Sequence, residues 1–185
     1  MELDECIKGR RSVRAYKDQP IPKEITEKVL EAGIWAATGM NKQPWRFIII
    51  EDKSVIKLIS TETKKAVQKA LPAYAKRFET EEDIICYNAP VLILICTETD
   101  KGFSNIYLRD SVLAAQNMFL KAHELGLGAC YMGWIDILNQ TQPETLKKIA
   151  VPDGYDMQVP LILGYPKTKL GILKRNKPNI LKWIT

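Results

Sequence analysis

Within one short run, Arg10, Arg11, Ser12, Val13 and Arg14 bring three guanidinium groups and a hydroxyl into five positions. In an extended backbone successive side chains point to opposite faces, so Arg10, Ser12 and Arg14 share one. Two guanidinium forks and a hydroxyl on one face can clamp a phosphate. The same run also reads as a solvated basic stretch, and these residues alone leave both readings open. A second basic group follows Pro166, where the tail carries six Lys or Arg and no acid. Lys174, Arg175 and Lys177 could join an anion site or simply keep the tail in water. The formal charge is only +5, from 27 basic and 22 acidic residues. Its concentration at the two ends suggests an anionic partner, either a nucleic acid or a small phosphorylated cofactor.

Other constellations exclude more than they offer. Gly126 and Gly128 invite a dinucleotide-loop reading, but Tyr131 stands where the third glycine belongs. The glycines also follow a helical pattern and precede a strand pattern, the reverse of a Rossmann loop, so a helix C-cap accounts for them. His123 is the only histidine and no G-x-S-x-G elbow exists, which argues against hydrolase triads and His-based metal sites. Cys6, Cys86, Cys96 and Cys130 lie far apart with no C-x-x-C pair. Free thiols in a reducing cytoplasm are the expectation. The charged N-terminus and the absence of a long apolar run signal neither export nor membrane insertion.

The elements that must position these groups follow from periodicity. Leu3 and Ile7 suggest a short helix before the basic run, which Val13, Pro20 and Pro22 keep extended. Ile25, Val29, Ala32, Gly33 and Ala36 predict a helix over about 23–37, opened by Pro22. Residues 38–44, TGMNKQP, have turn chemistry, with Gly39 as a C-cap. WRFIIIE then predicts a buried strand, placed centrally, and PVLILICTE a second. Between them residues 53–70 are helical in composition. The segment Asn105 to Leu125 lacks Gly and Pro and repeats Leu108, Val112, Ala115, Phe119 and Ala122 at helical spacing. Ala114, Ala115 and Ala122 would let another backbone approach this helix closely. ACYMGW reads as a strand, and Thr141 to Glu144 as a capping box opening a helix to about Ala150. MQVPLILGY is the last strand, moved toward an edge or bulge by Pro160. Helices and strands mix without a strict βαβ rhythm, which favours an α+β or three-layer sandwich in one domain.

Taken in order, RRSVRAY at 10–16, N-x-QPW-x-F at 41–47, the helix RDSVLAAQNMFLKAHELGLGACYMGW and LGYP at 163–166 resemble the nitroreductase family of flavoproteins. The resemblance covers nearly the whole chain. It implies an α+β fold, a three-layer α/β/α sandwich with a mixed, mainly antiparallel sheet, in an intertwined homodimer with FMN at the interface. Residues 1–165 would form the FMN-binding domain and 166–185 an extended arm of it. Arg10, Arg11, Ser12 and Arg14 would hold the phosphate, ribityl chain and pyrimidine edge, with Arg14 at N1 and O2. Ala37, Thr38, Gly39 and Asn41 would come from the second subunit. Cys130, Tyr131, Met132 and Gly133 would pass the ring, a backbone N–H near Met132 or Gly133 addressing N5. Lys174 and Arg175 would complete the clamp, with Lys177 as the alternative.

The implied activity is hydride transfer from NADH or NADPH through FMN to nitroaromatics, quinones or similar acceptors, with hardly any catalytic side chains. Related possibilities are flavin-destroying, dehalogenating or dehydrogenase activity. Outside this class stands a flavin- or nucleic-acid-binding module without turnover. The expectation is a cytoplasmic homodimer acting on a small molecule, without nucleic acid, membrane or metal. Met132 departs from relatives with an acid there, and the brief link from Cys96 to the long helix, where larger relatives place a substrate lid, suggests an open, undemanding pocket.

Overall fold

A computed structural model describes residues 1–100 and 102–184. The elements are α1 (Leu3–Gly9), α2 (Lys23–Ile34), β1 (Arg46–Ile50), α3 (Lys53–Ala70), β2 (Val91–Glu98), α4 (Ser104–Glu124), β3 (Gly128–Tyr131), α5 (Gly133–Thr141), α6 (Pro143–Ile149) and β4 (Tyr155–Gly164). Single 3-10 turns occupy Gly39–Asn41 and Pro72–Phe78. The four strands form one sheet in the order β1-β2-β4-β3, every adjacent pair antiparallel.

Alternation along β2 divides the core. Leu92, Leu94 and Cys96 face a cluster with Ile59, Val67, Ile135 and Leu146, contributed by α3, α5 and α6. Val91, Ile93 and Ile95 face the opposite cluster with Val29, Ala114, Ala115 and Met118 from α2 and α4. Helices therefore cover both faces, and the fold is the expected α/β/α sandwich. At the second interface Gly33 lets α2 approach α4 closely, since a Cβ there would lie 3.0 Å from Met118 Cγ. Asp52 caps α3, accepting from Ser54 N at 2.7 Å and Val55 N at 3.3 Å.

Several expectations are corrected. β1 is an edge strand, not a central one. A continuous apolar run reports covered faces, whereas edge position depends on backbone pairing that side chains do not encode. β4, moved outward on account of Pro160, is interior. Pro160 stands opposite Leu94, but its carbonyl accepts from Met132 N at 2.9 Å, just beyond the end of β3. In an antiparallel strand a residue's N–H and C=O point to the same neighbour, so the missing N–H faces the side where pairing has ended. The bulge does occur: the register moves from Ile95↔Val159 to Cys96↔Met157. α2 stops at Ile34, three residues early. ACYMGW is strand only to Tyr131, and an unforeseen helix, α5, starts at Gly133. Its Trp134 packs edge-on against Phe78, with ring centroids 5.1 Å apart. The capping box is absent: Thr141 ends α5 with its hydroxyl donating to Ile137 O, and Pro143 opens α6 without a side-chain cap. Ala114, Ala115 and Ala122 are buried in the chain's own core, leaving Ile106, Leu108, Val112 and Leu113 as the exposed apolar face of α4.

Candidate functional site

The arginine run reaches its place by backbone pairing. Ser12 bridges Ala129 in parallel, Val13 N donates to Ala129 O at 3.2 Å, and Tyr16 bridges Pro166. One segment thus covers the outer edge of β3 and touches the root of the tail. Buried Val13 and Tyr16 anchor it, with the Tyr16 hydroxyl donating to Val13 O at 2.6 Å. Among the described residues no helix or strand follows Gly164, and Lys167 N donates to Ala15 O at 3.0 Å as the tail departs.

Arg10, Arg11, Ser12, Arg14 and Arg175 meet around a cleft of about 360 Å³ whose remaining wall includes Leu170 and Leu173. Lys174 and Lys177 do not border it, so of the tail cations the structure brings Arg175 to the cluster. Among the described residues none of these four arginines makes an ion pair. Guanidinium groups gathered without carboxylates leave their forked donors for an external anion. The Arg10 guanidinium lies 5.8 Å from the centroid of the Phe119 ring, a cation–π contact that sequence reading missed. His123, one turn further along α4, is held below the usual imidazole range, first by burial and then by Arg10.

The field of this cluster reaches β3. Burial pushes the Cys130 thiol up, while Arg14, a hydrogen bond with Ser12, and Arg10 pull the other way. Beyond Cys130 the two amides assigned to the flavin differ. Met132 N donates to Pro160 O, whereas Gly133 N, at the start of α5, has no acceptor among the described residues. Gly133 N–H is therefore the free donor of the pair. The ring of Tyr131 overlies Gly133, where an added Cβ would lie 3.3 Å from Tyr131 Cε1. The Tyr131 hydroxyl donates to Asp136 of α5. This pairing crosses the strand-to-helix junction that the sequence reading took for continuous strand.

Ala37, Thr38, Gly39 and Asn41 do not border the arginine cleft of the same chain. Their loop is held in place by α4: buried Asp110 accepts from Gly39 N at 3.3 Å. Thr38 Oγ1 accepts from Gln43 N at 3.3 Å. Met40, Asn41 and Gln43 have φ of 53°, 53° and 47°, left-handed values that cost side-chain-bearing residues energy. No group of His, Cys, Asp and Glu suited to a metal occurs among the described residues, and none of their helices is long and apolar enough to cross a membrane.

Residues 7–165 match the Nitroreductase family model. A nitrobenzene nitroreductase of Ectopseudomonas oleovorans is 33% identical, the match covering 91% of this chain and 88% of that protein. An iodotyrosine deiodinase of Thermotoga neapolitana is 30% identical, over 89% of this chain and 88% of its own. The crystal structure of a nitroreductase with bound FMN from Bacteroides fragilis superposes with a TM-score of 0.82 at 28% identity, covering 100% of this chain and 98% of that one.

Proposed function

The chain belongs to the nitroreductase family, and from that premise we propose that it is an FMN-dependent oxidoreductase, working as a homodimer. Its donor is NADH or NADPH, and its acceptor a nitroaromatic, quinone or similar small molecule. The observation that carries the reading is the cleft at which Arg10, Arg11, Ser12, Arg14 and Arg175 converge without internal counter-ions.

The donor set fits FMN. Its terminal phosphate matches forked guanidinium donors, and a free amide at Gly133, with Cys130 and Tyr131 leading to it, suits a polar edge of the ring. Ala37, Thr38, Gly39 and Asn41 belong to the opposite wall, offered by the second subunit, which agrees with their distance from the cleft of their own chain. Lys174 then serves the clamp only by adding charge near Arg175. Bound there, FMN supplies hydride transfer between a nicotinamide donor and an acceptor. The protein's part is positioning and electrostatics: Arg10, Arg11 and Arg175 hold the phosphate, and Arg14 places positive charge beside the ring. The link between β2 and α4 spans only 99–103, and so short a link favours an open pocket.

The deiodinase relative supports a second reading, reductive removal of halogen at the same site. An anaerobic absorbance scan of the purified protein tests both. Yellow protein that releases FMN and is bleached by NADH or NADPH supports the assignment, and reoxidation by a quinone or nitroaromatic, compared with a halogenated tyrosine, ranks the acceptors. Colourless protein that cannot be reconstituted with FMN overturns it.

A further inference from the structure

Tyr131 and Asp136 sit at the end of the cofactor wall, Tyr131 in the stretch that would pass the ring and Asp136 beyond it. Tyr131 ends β3, two residues beyond the Ser12–Ala129 bridge, so it lies roughly 7 Å along the strand from the arginine-bearing segment. It keeps 40% of its surface exposed, and its ring overlies Gly133, whose amide is unpaired. Its hydroxyl is hydrogen-bonded to Asp136, a half-buried carboxyl in the first turn of α5. Reduction of a quinone or nitro group needs protons as well as electrons, and this pair is the exposed acid closest to that amide along the chain.

We propose that Tyr131 and Asp136 form a proton-donating pair for the bound electron acceptor, with Tyr131 as the catalytic residue and Asp136 as its positioning and recharging partner. The proposal rests on the oxidoreductase reading above. For a quinone, the nicotinamide donor provides two electrons and one proton as hydride. The second proton leaves Tyr131 Oη as an O–H bond forms on the acceptor oxygen. The Asp136 carboxyl proton then moves to Tyr131 Oη, and water reprotonates Asp136. The sum is NAD(P)H, a proton and quinone giving NAD(P)⁺ and hydroquinone.

The surroundings keep the protons on the pair at low pH. Burial pushes the Asp136 carboxyl up to about 6, against the hydrogen bond from Tyr131, which lowers it. Burial and then Asp136 hold the Tyr131 phenol above its ordinary range. Three charged groups on the elements packed around α5 have other partners. Lys64 of α3 donates to Thr80 O and Glu82 O, Lys147 of α6 pairs with Glu144, and Asp156 of β4 acts on Cys96. As pH rises through about 6 the pair loses one of its two transferable protons.

The test uses full-length, FMN-loaded protein with ¹³C-labelled tyrosine and the variants Tyr131→Phe and Asp136→Asn. In the wild type, the ring resonance that Tyr131→Phe removes should titrate with a midpoint near 6, and Asp136→Asn should abolish that step. With quinone limiting, kcat/KM should fall about a hundredfold in Tyr131→Phe, the usual scale for losing a general acid. Asp136→Asn should lose the decline with rising pH, and in both variants the acceptor-limited rate should fall further than the donor-limited rate. Loaded variants that match wild type in rate and pH profile overturn the pair while leaving the oxidoreductase assignment intact. Absence of the tyrosine titration also overturns it, and protein that takes up no FMN overturns both.

Discussion

A methyl group added to Gly128 would lie 2.5 Å from Val13 Cγ2. That contact lets the arginine-bearing segment lie flat on β3, and it is rigid because Val13 is buried and tied to Ala129 O. Gly128→Ala should therefore lift the segment, costing about 1–3 kcal/mol by overpacking and separating Arg10, Ser12 and Arg14 from Arg175. A denaturant midpoint and an FMN titration check this. A variant with wild-type stability and FMN affinity would show that the segment adapts freely and that its pairing does not set the cleft.

Asp136 gives a stability prediction independent of catalysis. Its folded carboxyl titrates at about 6, above the ordinary 3.8. Stability tied to this group is fully present below the lower value and is lost as pH rises through the upper one. Asn removes the ionisation and keeps an acceptor for Tyr131. Asp136→Asn should thus stabilise the protein at about pH 8 by roughly 1 kcal/mol, after allowance for partial exposure, and make little difference near pH 4. Melting temperatures of both proteins at the two pH values decide it, and an equal gain at both would mean that the ionised carboxylate is not the cause.

The proposed dimer draws support from exposed apolar surface. On α4, Ile106, Leu108, Val112 and Leu113 each keep 38–49% of their surface in solvent, and Leu181, Trp183 and Ile184 of the tail keep 77–95%. Such a quantity of exposed large side chains marks an interface. Sedimentation over a wide dilution range should give two chains with two flavins, and the double change Val112→Glu with Leu113→Glu should yield monomer that no longer retains FMN. A wild-type monomer that keeps its flavin would contradict this.

How far the sequence led depends on the kind of information each feature carries. α3 and α4 were readable because one-sided burial is written in side-chain periodicity, and β2 because burial on both faces leaves a continuous apolar run. The edge position of β1 and the interior position of β4 were not, since pairing order is a property of the backbone. α5 was missed because ACYMGW, without a charge, reads as a strand running on past Tyr131, while the helix starts at Gly133 with Trp134 docking on Phe78. The arginine cluster was legible as five consecutive residues, and its tail partner only as a choice among Lys174, Arg175 and Lys177. Tyr131 and Asp136, five apart, signal nothing until a strand-to-helix turn brings them together. Asp110 carried a weak signal, an acid on the buried side of α4.

Arg10 and Arg14 should fail in different ways when changed. Both border the cleft, but Arg10 lies over Phe119, and Arg14 is the stronger of the two in acting on Cys130 of β3. Arg10→Gln removes a charge-assisted phosphate contact worth about 1.5–3 kcal/mol, so FMN affinity should fall tenfold or more while the bound flavin's midpoint potential barely moves. Arg14→Gln removes positive charge beside a ring that gains negative charge on reduction, so the reduced form loses more stability and the potential drops. With an effective dielectric near 20, one charge at about 4 Å is worth at most about 4 kcal/mol, and solvent access leaves about a quarter of that. For a two-electron couple this corresponds to about 20 mV. Redox titration of the two variants separates the roles: equal potentials with only weaker FMN binding would make Arg14 another phosphate or ribityl ligand, and its electrostatic assignment would fall.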